Sequence, residues 1–477
     1  MHEKTTKSTA LAALLLALTP VISQALEAAA PTPTVSAPYG SASPALMPMA
    51  AAVTAKLPTL DLAAPLRTDK LLKMNAESSD GMKEADVWGH IRSGYAIPDI
   101  DNQLVLKHTT WYATRPDYIA RTTARASRYI FHVVQELEKR GMPTELALLP
   151  FIESAFNPQA FSSANAAGMW QFVPATGRDF NLKQNMFKDE RRGVLASTDA
   201  ALTYLQRLYD MFGDWQLALA AYNWGEGSVQ RAIKKNQALG KPTDFESLAE
   251  LMPAETRNYV PKLQAVKNII ANPGQYGITL PLVDNQPYFT AIDKTSDIDM
   301  TIAAQLAELS LDEFKALNPQ FNRPVITGGD KTKILLPQEN AKKFTSNLAQ
   351  WGHALSTWTT HKITSARERI DTLASRFGTT PDVLRQANNI PQKTSLAAGS
   401  TILVPRTSAS LNVDITSEIA DNATMAFVAE RPEGKHGGKG LKLARGQRAS
   451  ASAAPISLVK ARVARGGATH HRAKAQR

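Results

Sequence analysis

The 477-residue sequence predicts a mainly α fold: a helical body followed by two small α+β modules of βααβ order. Three observations predict it. Apolar residues recur at three- and four-residue steps in segments between about 118 and 272. Strand-like runs appear only from Tyr288 onward. There the order strand, helix, helix, strand occurs twice, with Asp312, Phe314, Lys315 and Asn318 falling on Asp382, Leu384, Arg385 and Asn388 at an offset of 70 residues.

The first residues have the layout of a secretory signal. Lys4 and Lys7 precede an Ala- and Leu-rich run from Thr9 to Ile22, and Ser23-Gln24-Ala25 supplies small residues for cleavage after Ala25. Pro20 interrupts the run, which is too short for a convincing spanning helix. Residues 1–25 are therefore expected to be a signal peptide and 26–66, rich in Ala, Pro, Ser and Thr, a disordered linker.

Globular composition begins near Val87-Trp88. Tyr118, Thr122, Ala126, Tyr129, Val133 and Leu137 form one helix face, ended by Gly141 and Pro143. Residues 67–143 are expected to be a helical region packing on the segment that follows. Ser197 or Thr198 is placed to cap a helix carrying Leu202, Leu205, Leu208 or Tyr209, and Phe212, closed near Gly213. A further helix runs from Trp215 to Tyr222 and stops at Gly225-Glu226-Gly227. A third, over 254–272, carries Tyr259, Leu263, Val266 and Ile270.

The strands are expected at 288–292 and 334–337 in the first module, and at 358–363 and 402–405 in the second. Between the second pair, one helix carries Ile370, Leu373 and Phe377 and another surrounds Val383-Leu384.

The formal net charge of +11 belongs to the end of the chain: residues 431–477 hold twelve Lys or Arg and one acid, Glu433, and the rest is balanced. This segment has few large apolar groups and is expected to be a disordered tail. Its charge suits anionic polymers of a cell envelope; a solvated tail with no single partner is the other reading. No specific nucleic acid is indicated. The chain has no cysteine, which excludes disulfides and thiolate metal sites. No Walker loop, dinucleotide fingerprint or His/Cys cluster with metal spacing occurs, so neither cofactor nor metal is implied.

One stretch has the composition of a site. Glu145 to Thr176 starts as an apolar run (Leu146, Leu148, Leu149, Phe151, Ile152) and ends in a single carboxylate, Glu153, just before Asn157-Pro158 stops any helix. A small-residue turn follows, then Gly168-Met169-Trp170-Gln171-Phe172. Apolar surroundings raise a carboxyl pKa, as a general acid requires. The pattern alone also fits a helix-terminal Glu facing solvent.

Several motifs in order lift that ambiguity. Glu153-Ser154, Asn157-Pro158, Ser162, Gly168-Met169-Trp170-Gln171, Ala221-Tyr222-Asn223 and a Tyr within Glu255-Thr256-Arg257-Asn258-Tyr259-Val260-Pro261-Lys262 resemble the transglycosylase domain of the lytic murein transglycosylases. The wording ELALLPFIESAFNP, GMWQFVPATG and ALAAYNWGEG is similar to the membrane-bound lytic murein transglycosylase D branch. The resemblance implies a lysozyme-like helical catalytic domain at 144–275. It also implies cleavage of the β-1,4 bond between N-acetylmuramic acid and N-acetylglucosamine in peptidoglycan, giving 1,6-anhydromuramyl products. Glu153 is then the single general acid/base and Tyr222 its catalytic neighbour. Ser162, Gln171, Asn223 and Tyr259 position sugar, with Met169 lining the groove.

The modules at 287–340 and 357–406 resemble LysM modules, which implies binding to N-acetylglucosamine-containing glycan. The usual Gly-Asp before the first LysM helix is absent from both copies, where Ser296-Asp297-Ile298 and Ser365-Ala366-Arg367 stand. The first copy is the more degenerate. A bacterial lipid anchor attaches to a Cys, so the expectation is an exported, soluble or peripheral envelope protein. Two rivals remain from the residues alone: a hydrolytic muramidase and a wall-binding scaffold with a silent site.

Overall fold

The computed structural model describes residues 86–429 except 295, 328–331, 366–367 and 411–412. The expected signal peptide, the linker, the start of the region from 67 and the basic tail lie outside the described residues.

The helical body is built from α1 (Val87–Ser93), α2 (Gln103–Ala113), α3 (Pro116–Ala126), α4 (Ile130–Lys139), α5 (Leu149–Glu153), α6 (Pro174–Asp179), α7 (Val194–Phe212), α8 (Trp215–Trp224), α9 (Glu226–Ala238), α10 (Phe245–Leu248) and α11 (Ala254–Ala271). One apolar core runs through it. Val87, Trp88 and Ile91 of α1 share it with Leu146 to Leu149, Ala218 to Ala221 of α8 and Val260 to Ile270 of α11. Burial of large apolar side chains at about 25 cal/mol per Å² is what holds these helices together. The region before 144 is therefore continuous with the body that follows it. Glu145 belongs to this frame. It is 1% exposed, accepts the Ile97 amide at 2.8 Å and pairs with Lys267 at 3.1 Å.

Two expectations need correction. The face from Tyr118 to Leu137 belongs to two helices, broken at residues 127–129. At the break Tyr129 turns its hydroxyl to the Ala316 carbonyl at 2.8 Å, and Arg128 pairs with Glu313 at 2.7 Å. Tertiary contacts thus override helix continuation. Likewise α7 starts at Val194 with Gly193 as its N-cap, and Ser197 and Thr198 are buried inside the helix. Gly213 does close α7, in the left-handed conformation at φ 67°.

The first module pairs β1 (Phe289–Asp293) with β4 (Lys333–Pro337) and β2 (Ile298–Asp299) with β3 (Val325–Ile326), both antiparallel. Between them lie α12 (Met300–Leu306) and α13 (Leu311–Leu317), and α14 (Gln338–Ala349) follows. The second repeats the plan: β5 (Trp358–Lys362) pairs with β7 (Thr401–Pro405) around α15 (Ile370–Arg376) and α16 (Pro381–Asn388). A short β6 (Thr394–Leu396) pairs with β8 (Phe427–Ala429), after α17 (Ser417–Asn422). The sequence repeat has a physical counterpart. Asn318 accepts the Leu335 amide and donates to the Leu335 and Phe314 carbonyls, all at 2.8–3.0 Å. Asn388 does the same with Leu403 and Leu384 at 2.6–2.9 Å.

Candidate active site

Glu153 is the last residue of α5, and the helix is short for local reasons. Pro150 stands in its first turn, while Ala155 (φ 49°) and Phe156 (φ 53°) turn left-handed directly after Ser154. Neither is glycine, so the reversal is strained by roughly 1–3 kcal/mol per residue. It is held by the Phe156 amide on the Pro150 carbonyl at 2.9 Å and by Arg125 of α3 on the Ala155 carbonyl at 2.9 Å. Phe151 and Phe156 pack edge to face, 5.2 Å apart, inside the core. The acid is thereby carried to the margin of an apolar interior.

The loop after it folds back on itself through bridges of Ala167 with Phe161 and with Phe172. Ser154 Oγ donates to the Met169 carbonyl at 3.0 Å, tying the loop to the end of α5. Gly168 has φ 85°, and a Cβ there would lie 2.0 Å from the Arg191 carbonyl oxygen. Only glycine satisfies both conditions. Trp170 is fully buried and donates from Nε1 to Thr198 Oγ1 of α7 at 3.1 Å. Gln171 is half-buried at φ 52°, with Nε2 on the Gly168 carbonyl at 2.8 Å.

Two helices complete the surroundings of the carboxyl. Tyr259 of α11 donates its phenol proton to Glu153 Oε1. Tyr222 of α8 donates to the Trp170 carbonyl at 2.9 Å. Between them, Asn223 accepts from Thr256 Oγ1 at 2.7 Å and donates to Glu255 Oε1 at 3.4 Å.

Burial is the largest influence on Glu153 and pushes its pKa up to about 7. The Tyr259 hydrogen bond opposes that rise, the negative charge of Glu255 adds to it, and Lys262 draws it down. The residue as a whole is half-buried at the end of α5. Burial, then the charge on Glu153, also lift the phenols of Tyr222 and Tyr259 well above their ordinary value. A neutral carboxylic acid with a phenol on one oxygen is equipped to give and reclaim a proton near neutral pH.

The sequence-predicted residues are thus mostly gathered here, with three revisions. The hydrogen-bond partner of Glu153 is Tyr259; Tyr222 reaches the loop backbone. Met169 is fully buried and presents no side-chain surface to a groove, its neighbours being held by Arg191 on one side (Gly168) and by Thr198 of α7 on the other (Trp170). Ser162 Oγ accepts the Ala166 amide at 3.0 Å, which places it in the turn of the loop.

Glu255 was missed as an electrostatic neighbour. It stands four residues before Tyr259 in the first turn of α11, so the two share a helix face, and that spacing was the available signal. Other acids are engaged elsewhere. Asp189 pairs with Arg191 at 2.7 Å, Asp199 with Arg140 at 2.6 Å, and Asp214 caps α8. Among the described residues, no group of three or more His, Cys, Asp or Glu gathers as metal ligands would.

Comparison with known proteins identifies the domains that carry these residues. The Transglycosylase SLT domain model matches residues 133–245. The model for the LysM-like domain of lytic transglycosylase MltD matches 288–352, and the LysM domain model matches 370–405. Membrane-bound lytic murein transglycosylase D of Escherichia coli (strain K12) is 34% identical over 364 residues, 73% of this chain and 80% of that one. Membrane-bound lytic murein transglycosylase C of Yersinia enterocolitica is 32% identical over 183 residues, 34% of this chain and 51% of that one. Among solved structures, the 70 kDa soluble lytic transglycosylase of Escherichia coli shares 26% identity over 30% of this chain and 24% of its own, with a TM-score of 0.24. With 34% identity to the Escherichia coli transglycosylase D across 73% of this chain and 80% of that one, the chain belongs to the membrane-bound lytic murein transglycosylase D family.

Proposed function

We propose that this murein-cleaving family member uses Glu153 alone as acid and then base, cutting the N-acetylmuramyl–N-acetylglucosamine β-1,4 bond without water. The observation that carries the reading is the buried Glu153 carboxyl at the end of α5, lifted to about 7 with Tyr259 on its oxygen. Protonated Glu153 gives its proton to the glycosidic oxygen as the C1–O bond breaks. The substrate's 2-acetamido group stabilises the positive charge that develops at C1. Ionised Glu153 then takes the C6 hydroxyl proton of the muramyl sugar, and O6 bonds to C1 to leave a 1,6-anhydro end. An internal nucleophile avoids the entropy cost of placing a water.

Tyr259 steadies the ionised intermediate form of the acid. Tyr222 fixes the Trp170 carbonyl, and Gln171 and Asn223 offer amide groups to sugar. The boundaries read from sequence, 144–275 for the catalytic domain with modules at 287–340 and 357–406, are part of this reading. The second module binds N-acetylglucosamine-containing glycan, and the protein works in the cell envelope after export.

A second reading rests on Glu255. A carboxylate close enough to raise the Glu153 pKa is what a two-carboxylate hydrolase would use. Mass analysis of products from purified sacculi separates the two, since hydrolytic ends carry one more water than anhydro ends. The single-acid reading expects anhydro ends from the native chain and none from Glu153→Gln; full activity in that variant would reject it.

A further inference from the structure

Between α6 and α7 the chain forms a strap, residues 182–193, with the site loop on one side and the first module on the other. Arg191 is its centre. The side chain is 6% exposed, and its guanidinium makes a two-point pair with Asp189 at 2.9 and 2.7 Å. Its remaining nitrogen donates to the Asn165 carbonyl at 2.7 Å and the Phe172 carbonyl at 3.1 Å. Those carbonyls bracket the segment that carries Gly168 and Gln171. One planar fork thus ties both ends of that segment to the strap, a geometry an ammonium cannot reproduce.

The other side of the strap is held by the first module. The Asp189 amide donates to the Gln320 carbonyl at 2.8 Å, and the Asn322 amide to the Phe187 carbonyl at 2.7 Å. Asn322 Nδ2 donates to the Asn185 carbonyl at 3.1 Å, and Arg323 Nε to the Met186 carbonyl at 3.1 Å. Arg192 bridges the two sides, from Gln159 Oε1 at 2.8 Å to Asn322 Oδ1. Phe187 is buried with Val325 of β3 and Leu403 of β7.

We propose that Arg191 is a positioning residue for the 165–172 segment, and that the first module acts as a brace which sets the active-site loop through the strap. This assigns the more degenerate module a role in the reaction that needs no sugar affinity of its own. It rests on the reading that the Gln171 loop faces the substrate.

The test uses the full chain with Arg191→Lys and with the double change Asn322→Ala/Arg323→Ala. Hydrogen exchange of the 160–172 peptide is read beside kcat and KM on soluble glycan strands. The expected result in both variants is about tenfold faster exchange in 160–172 with α7 unchanged, a KM raised several-fold and kcat held within about threefold. Native exchange in 160–172 in the double variant overturns the proposal, and so does an equal loss of protection throughout the helical body. Should Arg191→Lys fail to fold, the double variant decides alone, because its changes lie between module and strap. Exchange needs no turnover, so an inactive native chain would defeat the functional reading and leave this link to be judged separately.

Discussion

Tyr259 donates its phenol hydrogen to Oε1 of Glu153, a residue 106 positions earlier in the chain. The bond favours the ionised carboxyl, against the burial that favours the neutral one. Tyr259→Phe removes the opposing influence, so the Glu153 pKa rises above about 7. The alkaline limb of kcat/KM, which follows loss of the protonated acid, moves to higher pH. The maximal rate falls by about 10- to 100-fold, because the ionised acid loses a charge-assisted hydrogen bond of about 1.5–3 kcal/mol. Tyr222→Phe loses a bond to the Trp170 carbonyl instead and should move that limb less. A pH–rate profile of the two variants checks the order.

Glu255→Gln acts with the opposite sign. Its charge helps to hold the Glu153 pKa up, so neutralising it lowers that pKa and brings the alkaline limb to lower pH. Anhydro ends should persist at more than about a tenth of the native rate, since Brønsted effects of one partner are modest. Loss of all activity, with native folding, would instead favour the two-carboxylate hydrolase.

Glu153→Gln should stabilise the fold in alkali while abolishing turnover. A carboxyl whose folded pKa is raised contributes stability below its unfolded value near 4.5, and that contribution is lost as pH rises through about 7. The amide never ionises. The variant should therefore gain on the order of 3 kcal/mol over the native chain at pH 9, from a rise from 4.5 to about 7 at about 1.36 kcal/mol per pH unit. Near pH 4 the two should melt together. Thermal melts at both pH values provide the measurement.

Gly168→Ala combines a positive φ with a Cβ 2.0 Å from the Arg191 carbonyl oxygen. Because the obstacle is backbone, the loop or the strap must shift. A loss of about 3 kcal/mol or more in urea unfolding is expected, with activity lost alongside.

Asn388→Ala deletes a side chain that makes three buried hydrogen bonds and leaves the Leu403 amide without its partner. About 2–4 kcal/mol of local stability in the second module should go. Cutting of soluble glycan strands should be unchanged, and retention on sacculi reduced. Pull-down on sacculi and hydrogen exchange over 358–405 test both parts.

Much of this was legible in the residues. Asn157-Pro158 announces a stop close to Glu153, although the chain already reverses at Ala155 and Phe156. The α8 and α11 boundaries follow the apolar periodicity, and the 70-residue offset aligns Asn318 with Asn388. Illegible parts depended on contacts between distant segments. Periodicity ran through Ser127 because nothing local forbids a helix there; Ala316 and Glu313 supply the reason for the break. Met169 and Gln171 lie on one short loop, and only the packing of Trp170 against Thr198 decides that the first goes inward. Ser162 has the residue type of a sugar ligand and of a turn, and loop closure through Ala166 determined its hydroxyl partner.

The helix Ala254–Ala271 brings more than one tyrosine. It packs beside α2 and α5, supplies Thr256 to Asn223, and contributes Val260 and Ile270 to the central core. Without that late segment Glu153 has no phenol on its oxygen and the core lacks Val260 and Ile270, so the last helix of the body completes both the site and its support.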